Sequence, residues 1–359
     1  MTKPVKKVVI NGRFLSQKMT GVQRYALELT LELQKLHPDW VVVSPNSAKG
    51  AASAQSLNVK FAGCLKGHLW EQLVLPLVAK RLGADLVLNF CNTGPLFASN
   101  LLVLHDVSFK RHPLNFSRSF RIFYSLLIPL LLRSVKQLVT DSDFSRDEIC
   151  DVYPIQRDDV EVIYCAPSPI FIDKGLARSP FILAVSSVNK LKNFDRLMDA
   201  FVAAELYQYE LKIVGDNHGS FNSDNYSSHL PEQPRVKFLG RVSDEDLVDL
   251  YNTATLFVFP SLYEGFGIPP LEAQACGCVC LVSNAASLPE VCGTSAAYFN
   301  PEDTLSLTKS IRELLADESV LQDYKLKGFQ NIDKFSWGES AARMSRVVEE
   351  VLYESGVCS

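Results

Sequence analysis

The sequence predicts an α/β chain built as two parallel-sheet halves. Three observations carry that prediction. β-Branched apolar runs alternate with helical patterns along most of the chain. The alternation is interrupted by a proline-punctuated stretch, with Pro167, Pro169 and Pro180, and then restarts. The chain has 359 residues, and at roughly 150 residues per domain that length asks for about two domains.

In chain order, Lys6–Ile10 reads as a buried strand ending at Asn11-Gly12. A helix follows Thr20-Gly21, with Val22, Tyr25, Ala26, Leu29, Leu33 and Leu36 at helical spacing. Trp40–Val43, Ala84–Phe90, Leu101–Leu104 and Leu138–Asp141 read as further strands, and Trp70–Arg81 as a helix between two of them. Strand, helix, strand, helix is the signature of a parallel sheet covered on both faces. After Val160–Tyr164 and the prolines come strands at Phe181–Val185, Tyr209–Val214, Val236–Leu239, Leu256–Phe259 and Val279–Val282. Helices are predicted over Phe194–Glu205, Ser243–Tyr251 and Pro269–Cys276, and the polar stretch Asn217–Glu232 reads as an exposed loop. Ser336 and Glu339 form a capping box that opens a last helix to Tyr353. The simplest architecture is two Rossmann-like, doubly wound domains: residues 1–167, residues 168–335, and a terminal helix in 336–359 that covers one of them.

Composition narrows the function. The chain is 47% hydrophobic and 21% charged, which excludes disorder. Its net charge of -4 argues against a nucleic-acid partner. Nine cysteines, none spaced C-x-x-C, read as reduced and mostly buried thiols; Cys276, Cys278 and Cys280 lack the spacing of a zinc site. Val8-Val9-Ile10 is too short for a signal-peptide core, and Ile122–Leu132 falls short of the ~20 apolar residues of a membrane span. The expectation is a cytoplasmic protein.

The densest feature is the run Phe259 to Glu272. A buried strand enters a loop carrying Gly265 and Gly267, and the loop enters a helix opened by prolines. Such a loop brings backbone N–H groups close to a ligand, and a helix N-terminus favours phosphate. Glu264 at the strand exit and Glu272 in what reads as the first helical turn are candidates for hydroxyl-rich ligands. Taken singly, each has a plain alternative: a solvated loop residue, and a helix-dipole partner.

The segment Phe257 to Gly293, with PSLYEGFGIPPLEAQACG and SNAASLPEVCG, resembles the signature of the retaining glycosyltransferase family 4 on the GT-B fold. GVQRYALEL, HLWEQLVLP, HDVSFKRHP, TDSDFSRDEI, AVSSVNKLKNFDRLMDAF and LGRVSDEDLVDLY extend the resemblance over nearly the whole chain, toward mannosyltransferase-like enzymes of bacterial polysaccharide and O-antigen assembly. The resemblance implies two domains facing a cleft, the first on the acceptor side and the second binding the nucleotide sugar, with the C-terminal helix crossing back to the first. It implies that Glu264 holds donor-sugar hydroxyls, helped by the amides of Gly265, Phe266 and Gly267. Glu272 would bind the ribose and Lys192 the diphosphate. Val242, beside Arg241, would lie near the base, and Ser283 and Leu288 near the phosphates. His105, Glu264 and Lys192 are the implied catalytic residues; His105, Asp106 and Arg24 lie on the implied acceptor side. Ser187 stands in the donor site where many members carry an arginine, and Arg24, Lys190 or Arg241 are candidates to compensate. Gly21 matches the family's phosphate-approaching glycine, and equally reads as a plain helix start.

The implied reaction moves a hexose, from GDP-mannose first and a UDP-sugar second, to a glycan or lipid-linked acceptor with retention and without a metal or other cofactor. The rivals are a nucleotide-sugar epimerase of the same fold and a non-catalytic partner subunit. Asp141-Ser142-Asp143 looks like a metal-binding D-x-D but also like a helix cap, and Asp244-Glu245-Asp246 like a first-turn acidic cluster. His37, His68, His112 and His218 read as surface or loop residues. The basic, apolar segment Ser117–Leu138 suits either peripheral contact with an anionic membrane face or a core helix with a basic rim.

Overall fold

The computed structural model describes residues 6–187, 189–215 and 235–357. The residues 217–232 read above as an exposed loop, His218 among them, lie outside the described residues, as do residues 1–5. The chain divides into two compact units: one runs to Cys165 and resumes from Ser336, the other is Ala166–Phe335.

The first unit holds a seven-stranded sheet: β1 (Val8–Asn11), β2 (Val41–Ser44), β3 (Val59–Phe61), β4 (Leu86–Asn89), β5 (Asn100–Val103), β6 (Gln137–Thr140) and β7 (Val160–Val162). The order is β3-β2-β1-β4-β5-β6-β7 and every pairing is parallel. Val9 is flanked by Val41 and Val87, so the β-branched run predicted from sequence lies at the sheet centre. The helices are α1 (Gly21–Leu36), α2 (Gly67–Leu73), α3 (Leu75–Leu82), α4 (Ser108–Arg111), α5 (Arg118–Leu132) and α6 (Asp143–Val152). The single helix predicted over Trp70–Arg81 is in fact α2 and α3. Pro76 has no N–H to continue the ladder, and the chain re-starts at Leu75.

The second unit holds a six-stranded parallel sheet: β8 (Ser179–Val185), β9 (Glu210–Val214), β10 (Val236–Gly240), β11 (Ala254–Phe259), β12 (Cys280–Ser283) and β13 (Ala297–Phe299), in the order β10-β9-β8-β11-β12-β13. Its helices are α7 (Phe194–Ala203), α8 (Asp244–Thr253), α9 (Ile268–Ala275), α10 (Leu288–Cys292), α11 (Thr304–Ala316) and α12 (Glu318–Ile332). One core fills the space between the sheet and α7, α11 and α12, with Phe194, Leu197, Leu256, Leu281 and Ile311 at its centre. The last helix, α13 (Trp337–Val357), packs on α1 of the first unit. Trp337 meets Tyr25 edge-on at 5.6 Å, and Arg343 Nε donates to Glu161 at 2.6 Å. Ser336 Oγ accepts the Glu339 N–H, one half of the predicted capping box.

Gly12, directly after β1, has no room for a side chain. A Cβ there would stand 2.5 Å from Val42 Cγ1 and 2.8 Å from the Val43 carbonyl. A Cβ on Gly21 would meet nothing within 4 Å. Gly12→Ala should therefore cost about 1–3 kcal/mol of stability through overpacking, whereas Gly21→Ala should leave the melting temperature unchanged or slightly higher. Thermal denaturation of the two variants side by side checks the contrast; equal melting temperatures would contradict it.

Candidate active site

Strand order reverses between β8 and β11 in the second sheet, and ligands of open parallel sheets sit beyond the strands' carboxyl ends at such a reversal. β8 leads into Ser186-Ser187 and a short 3-10 turn, Lys190–Lys192, capped where Asn189 Oδ1 accepts the Leu191 N–H at 3.0 Å. β11 leads into the loop Pro260 to Gly267. The two loops are tied together: Leu262 N donates to Leu191 O at 2.7 Å, and Lys192 Nζ donates to Glu264 Oε1 at 2.6 Å. Their side chains are 16% and 13% exposed, so the ion pair is largely desolvated yet still reachable.

The Glu264 loop is held from below. Ser287 Oγ donates to the carbonyls of Glu264, at 3.1 Å, and Phe266, at 2.8 Å. The buried Ser283 donates its hydroxyl to the Ser261 carbonyl. Gly267 has φ 98°, a left-handed conformation that glycine adopts without strain, and a Cβ there would lie 2.7 Å from Leu288 Cδ2. Leu288 is thus a buried prop beneath the loop, and Phe266 is buried against Phe335.

The helix after this loop starts at Ile268, so Glu272 lies one residue further in than the sequence suggested, just past the first turn. The left-handed Gly267 sets that start. Glu272 is only 6% exposed, and Tyr251 donates its hydroxyl to Oε2 at 3.3 Å. Burial, then the Glu272 charge, pushes the Tyr251 hydroxyl well above its usual range. Ser187 is exposed and its Oγ accepts from Asn189 Nδ2 at 3.3 Å. Val242 is half-buried beside the exposed Arg241. Gly215, at the end of β9, was passed over as a site residue. A Cβ there would stand 1.8 Å from the Ser186 carbonyl, so this glycine lets β9 close against the loop that leads to Lys192. Its signal was a glycine directly at a strand exit.

In the first unit, His105 follows β5 and is buried. Its Nδ1 lies 2.9 Å from Asp141 Oδ2 and its Nε2 2.9 Å from the Phe90 carbonyl. Both ring nitrogens are thus engaged by oxygen atoms, an arrangement that favours the protonated ring over the neutral one. Burial alone would lower its pKa; the Asp141 hydrogen bond and charge outweigh burial and raise it. Asp141 is thus the partner of His105, while Ser142 caps α6 by accepting the Ser145 N–H. Asp106 Oδ1 accepts the Ser108 N–H at 2.7 Å, Arg24 is half-buried in the first turn of α1, and Gly21 opens that helix on its exposed side.

A second buried cluster was missed altogether. Glu71 is fully buried at the reversal between β1 and β4 and accepts from Asn11, Arg13 and Thr93 at 2.8–2.9 Å, with His68 at 3.2 Å. Burial would raise its pKa, and these partners together lower it. His68 and His37, read as surface residues, are both tied in, His37 by stacking on Trp40 and by its bond to Ser345.

Residues 19–167 match the family model "Glycosyltransferase Family 4" and residues 170–330 match "Glycosyl transferases group 1". The chain belongs to the family 4 glycosyltransferases. Among curated relatives of this glycosyltransferase chain, "Serotype-specific mannosyltransferase WbdA" of Escherichia coli is 32% identical over 216 residues, 58% of this chain and 26% of that protein. The chain thus spans about a quarter of WbdA's length. "O-antigen chain mannosyltransferase RfbU" of Salmonella typhimurium is 24% identical over 327 residues, 86% of this chain and 90% of that one. Among solved structures, Anabaena Alr3699/HepE, determined in complex with UDP-glucose, superposes with a TM-score of 0.72 over 96% of this chain and 99% of that chain, at 18% identity. The fold is therefore GT-B; of the candidate residues, Lys192, Glu264 and Glu272 lie in the second unit and His105 and Asp106 in the first.

The raised pKa of His105 has a measurable consequence. Its folded-state value lies above the unfolded 6.5. The stabilisation is complete below about pH 6.5 and is lost as pH rises through the folded pKa. The melting temperature of the glycosyltransferase should fall as pH is raised from there, and His105→Gln should flatten that fall; an unchanged slope would remove the charged ring.

Proposed function

We propose that the protein is a retaining glycosyltransferase that moves mannose from GDP-mannose to a hydroxyl of a glycan or lipid-linked acceptor. The observation that carries this reading is the Lys192–Glu264 pair at the carboxyl-end reversal of the second sheet. In the reaction the bond from the anomeric carbon to the diphosphate breaks with its electron pair going to phosphate. The acceptor oxygen bonds to the same face of that carbon, and its proton passes to the departing phosphate. Lys192 stabilises the growing negative charge, Glu264 accepts from the sugar hydroxyls, and Glu272 accepts from the ribose. The backbone of Gly265, Phe266 and Gly267 lines the donor, with Ser187, Ser283, Leu288 and Gly21 toward the phosphates and Val242 toward the base. His105, with Asp106 and Arg24 on the acceptor side, reaches the transferred sugar only if its Nε2 gives up the Phe90 carbonyl. No metal or other cofactor is needed, because Lys192 and the amide dipoles balance the diphosphate.

Names of relatives support mannose, and the UDP-glucose held by HepE favours a UDP-sugar as the second reading. Lys192→Ala should lower kcat roughly 100- to 1,000-fold, and Glu272→Gln should raise the donor KM roughly tenfold or more. Steady-state assays across GDP- and UDP-sugars measure both; donor KM unchanged by Glu272→Gln would exclude the ribose role. Activity should survive EDTA, and loss restored by Mn²⁺ would overturn the metal-free reading.

The acceptor class fits a peripheral membrane setting. Ile122, Leu126 and Leu130 on α5 are 63%, 66% and 47% exposed, with Arg118, Arg121, Arg133 and Lys136 around them. No acidic residue lies between Asp106 and Asp141. No described helix is long and apolar enough to cross a membrane. An apolar stripe with a cationic rim suits the interface of anionic lipid. Ile122→Glu with Leu126→Glu should abolish co-sedimentation with phosphatidylglycerol vesicles; undiminished binding would reject α5 as the contact.

A further inference from the structure

Tyr251 lies on α8 in the core of the second unit and yet carries a hydroxyl. The residue is fully buried, edge-on to Phe171 at 5.8 Å and to Phe257 at 5.4 Å. A phenylalanine would supply the same ring contacts, and a buried hydroxyl costs free energy unless it is hydrogen-bonded. Among the described residues, the partner of this hydroxyl is Glu272 Oε2, 3.3 Å away on α9. Burial, then the Glu272 charge, keeps the hydroxyl protonated, so the phenol is the donor and the carboxylate the acceptor.

The two helices that carry this pair are fastened to each other at their C-terminal ends. Arg178, directly before β8, donates from Nη1 to the carbonyls of Tyr251 at 2.6 Å and Ala254 at 3.2 Å. Its Nη2 donates to the carbonyls of Cys276 at 3.1 Å and Gly277 at 2.5 Å. One guanidinium fork therefore satisfies end carbonyls of both α8 and α9. Tyr251 thus approaches Glu272 from a backbone tied to the glutamate's own helix. A glutamate has three rotatable side-chain bonds, and holding it in place before a ligand arrives removes an ordering cost from binding. Tyr251 has no exposed surface of its own, so any effect on a ligand passes through Glu272, which keeps 6% exposure.

We propose that Tyr251 is a positioning residue of the donor site, its hydroxyl presetting the Glu272 carboxylate for the ribose diol of a nucleoside diphosphate, a reading that rests on the ribose role proposed above for Glu272. Isothermal titration calorimetry of the full chain with GDP, UDP and their 2′,3′-dideoxy forms tests it. The wild-type protein should bind the ribose form roughly tenfold or more tightly than the dideoxy form. Tyr251→Phe keeps the ring and removes the hydroxyl. It should weaken the ribose form by about three- to tenfold and leave the dideoxy form within about twofold, so that the preference narrows. In a Glu272→Ala background the same substitution should change neither affinity further. Phe171→Leu touches the same ring but not the carboxylate; it should lower the melting temperature and keep the wild-type preference. Circular dichroism checks that each variant folds. The positioning role fails if Tyr251→Phe weakens both nucleotide forms equally, if it leaves the preference intact, if its effect persists without Glu272, or if Phe171→Leu narrows the preference as much. Those results leave the donor site standing. A wild-type protein that binds neither nucleotide, or binds ribose and dideoxy forms alike, instead sinks the ribose role of Glu272 and the tyrosine's role with it.

Discussion

The ammonium of Lys192 held against the Glu264 carboxylate is the contact on which the chemistry proposed for the second unit turns. Opposite unit charges near contact attract by about 4 kcal/mol or more at an effective dielectric constant near 20. Desolvation of both groups offsets much of that. A pair left 13–16% exposed is therefore stable enough to fix both loops and weak enough to be reorganised. A nucleoside diphosphate, with more than one negative charge, would in the proposed reaction outcompete a single carboxylate for the lysine and release Glu264 toward neutral hydroxyls. In the proposed reaction, donor binding itself would switch Glu264 from ion-pair partner to sugar acceptor.

That exchange works only if the backbone does not follow the side chains. The loop is held by contacts independent of the pair: the Ser287 hydroxyl on two carbonyls, the Ser283 hydroxyl on Ser261, Leu288 beneath Gly267, and the Leu262–Leu191 backbone bond. The close approach at Gly215 adds a third strand to the same arrangement. Pre-organised dipoles are effective because nothing need move when charge develops. The serines here act through their hydroxyls on carbonyls, so a donor-site role for Ser283 would be one of shaping the loop.

Most of the fold was legible because parallel strands covered on both faces are written as continuous apolar runs, as in Val8-Val9-Ile10 and Leu256–Phe259. β3 and β13 were not, since each is three residues long and only partly buried. Helix α11 was overlooked although Leu307, Ile311 and Leu314 give it a helical stripe, whereas α12 buries only Leu321 among its large apolar residues and so offers little pattern. In the site, Glu264 and Lys192 were found by motif, but their mutual contact was not, since 72 residues separate them. Glu272 was placed one residue too early in its helix because Pro269 looked like the helix start, when the left-handed Gly267 sets it at Ile268. The pairing of His105 with Asp141 could not be read at all: it joins the ends of two neighbouring strands, and adjacency of strands is a property of the sheet order.

The two sheets reverse in the same way but use the reversal differently. Between β1 and β4 the carboxyl end is filled by Asn11, Arg13, Glu71, Asn89 and Thr93, each at most 5% exposed and bonded to others of the set. A buried ion pair satisfied on every side rigidifies its surroundings and offers nothing to a ligand. Between β8 and β11 the corresponding space holds one ion pair with access to solvent. The first unit's available polar groups instead lie one strand over, beyond β4 and β5, where Asn92 and Asp106 keep a donor and an acceptor unspent. The Glu71 network explains that displacement. It holds the β4 exit and the 91–94 loop in place, so that Asn92 can hold the His105 backbone and still present its amide. The chemistry of each unit thus follows from which strand exits are closed by their own side chains.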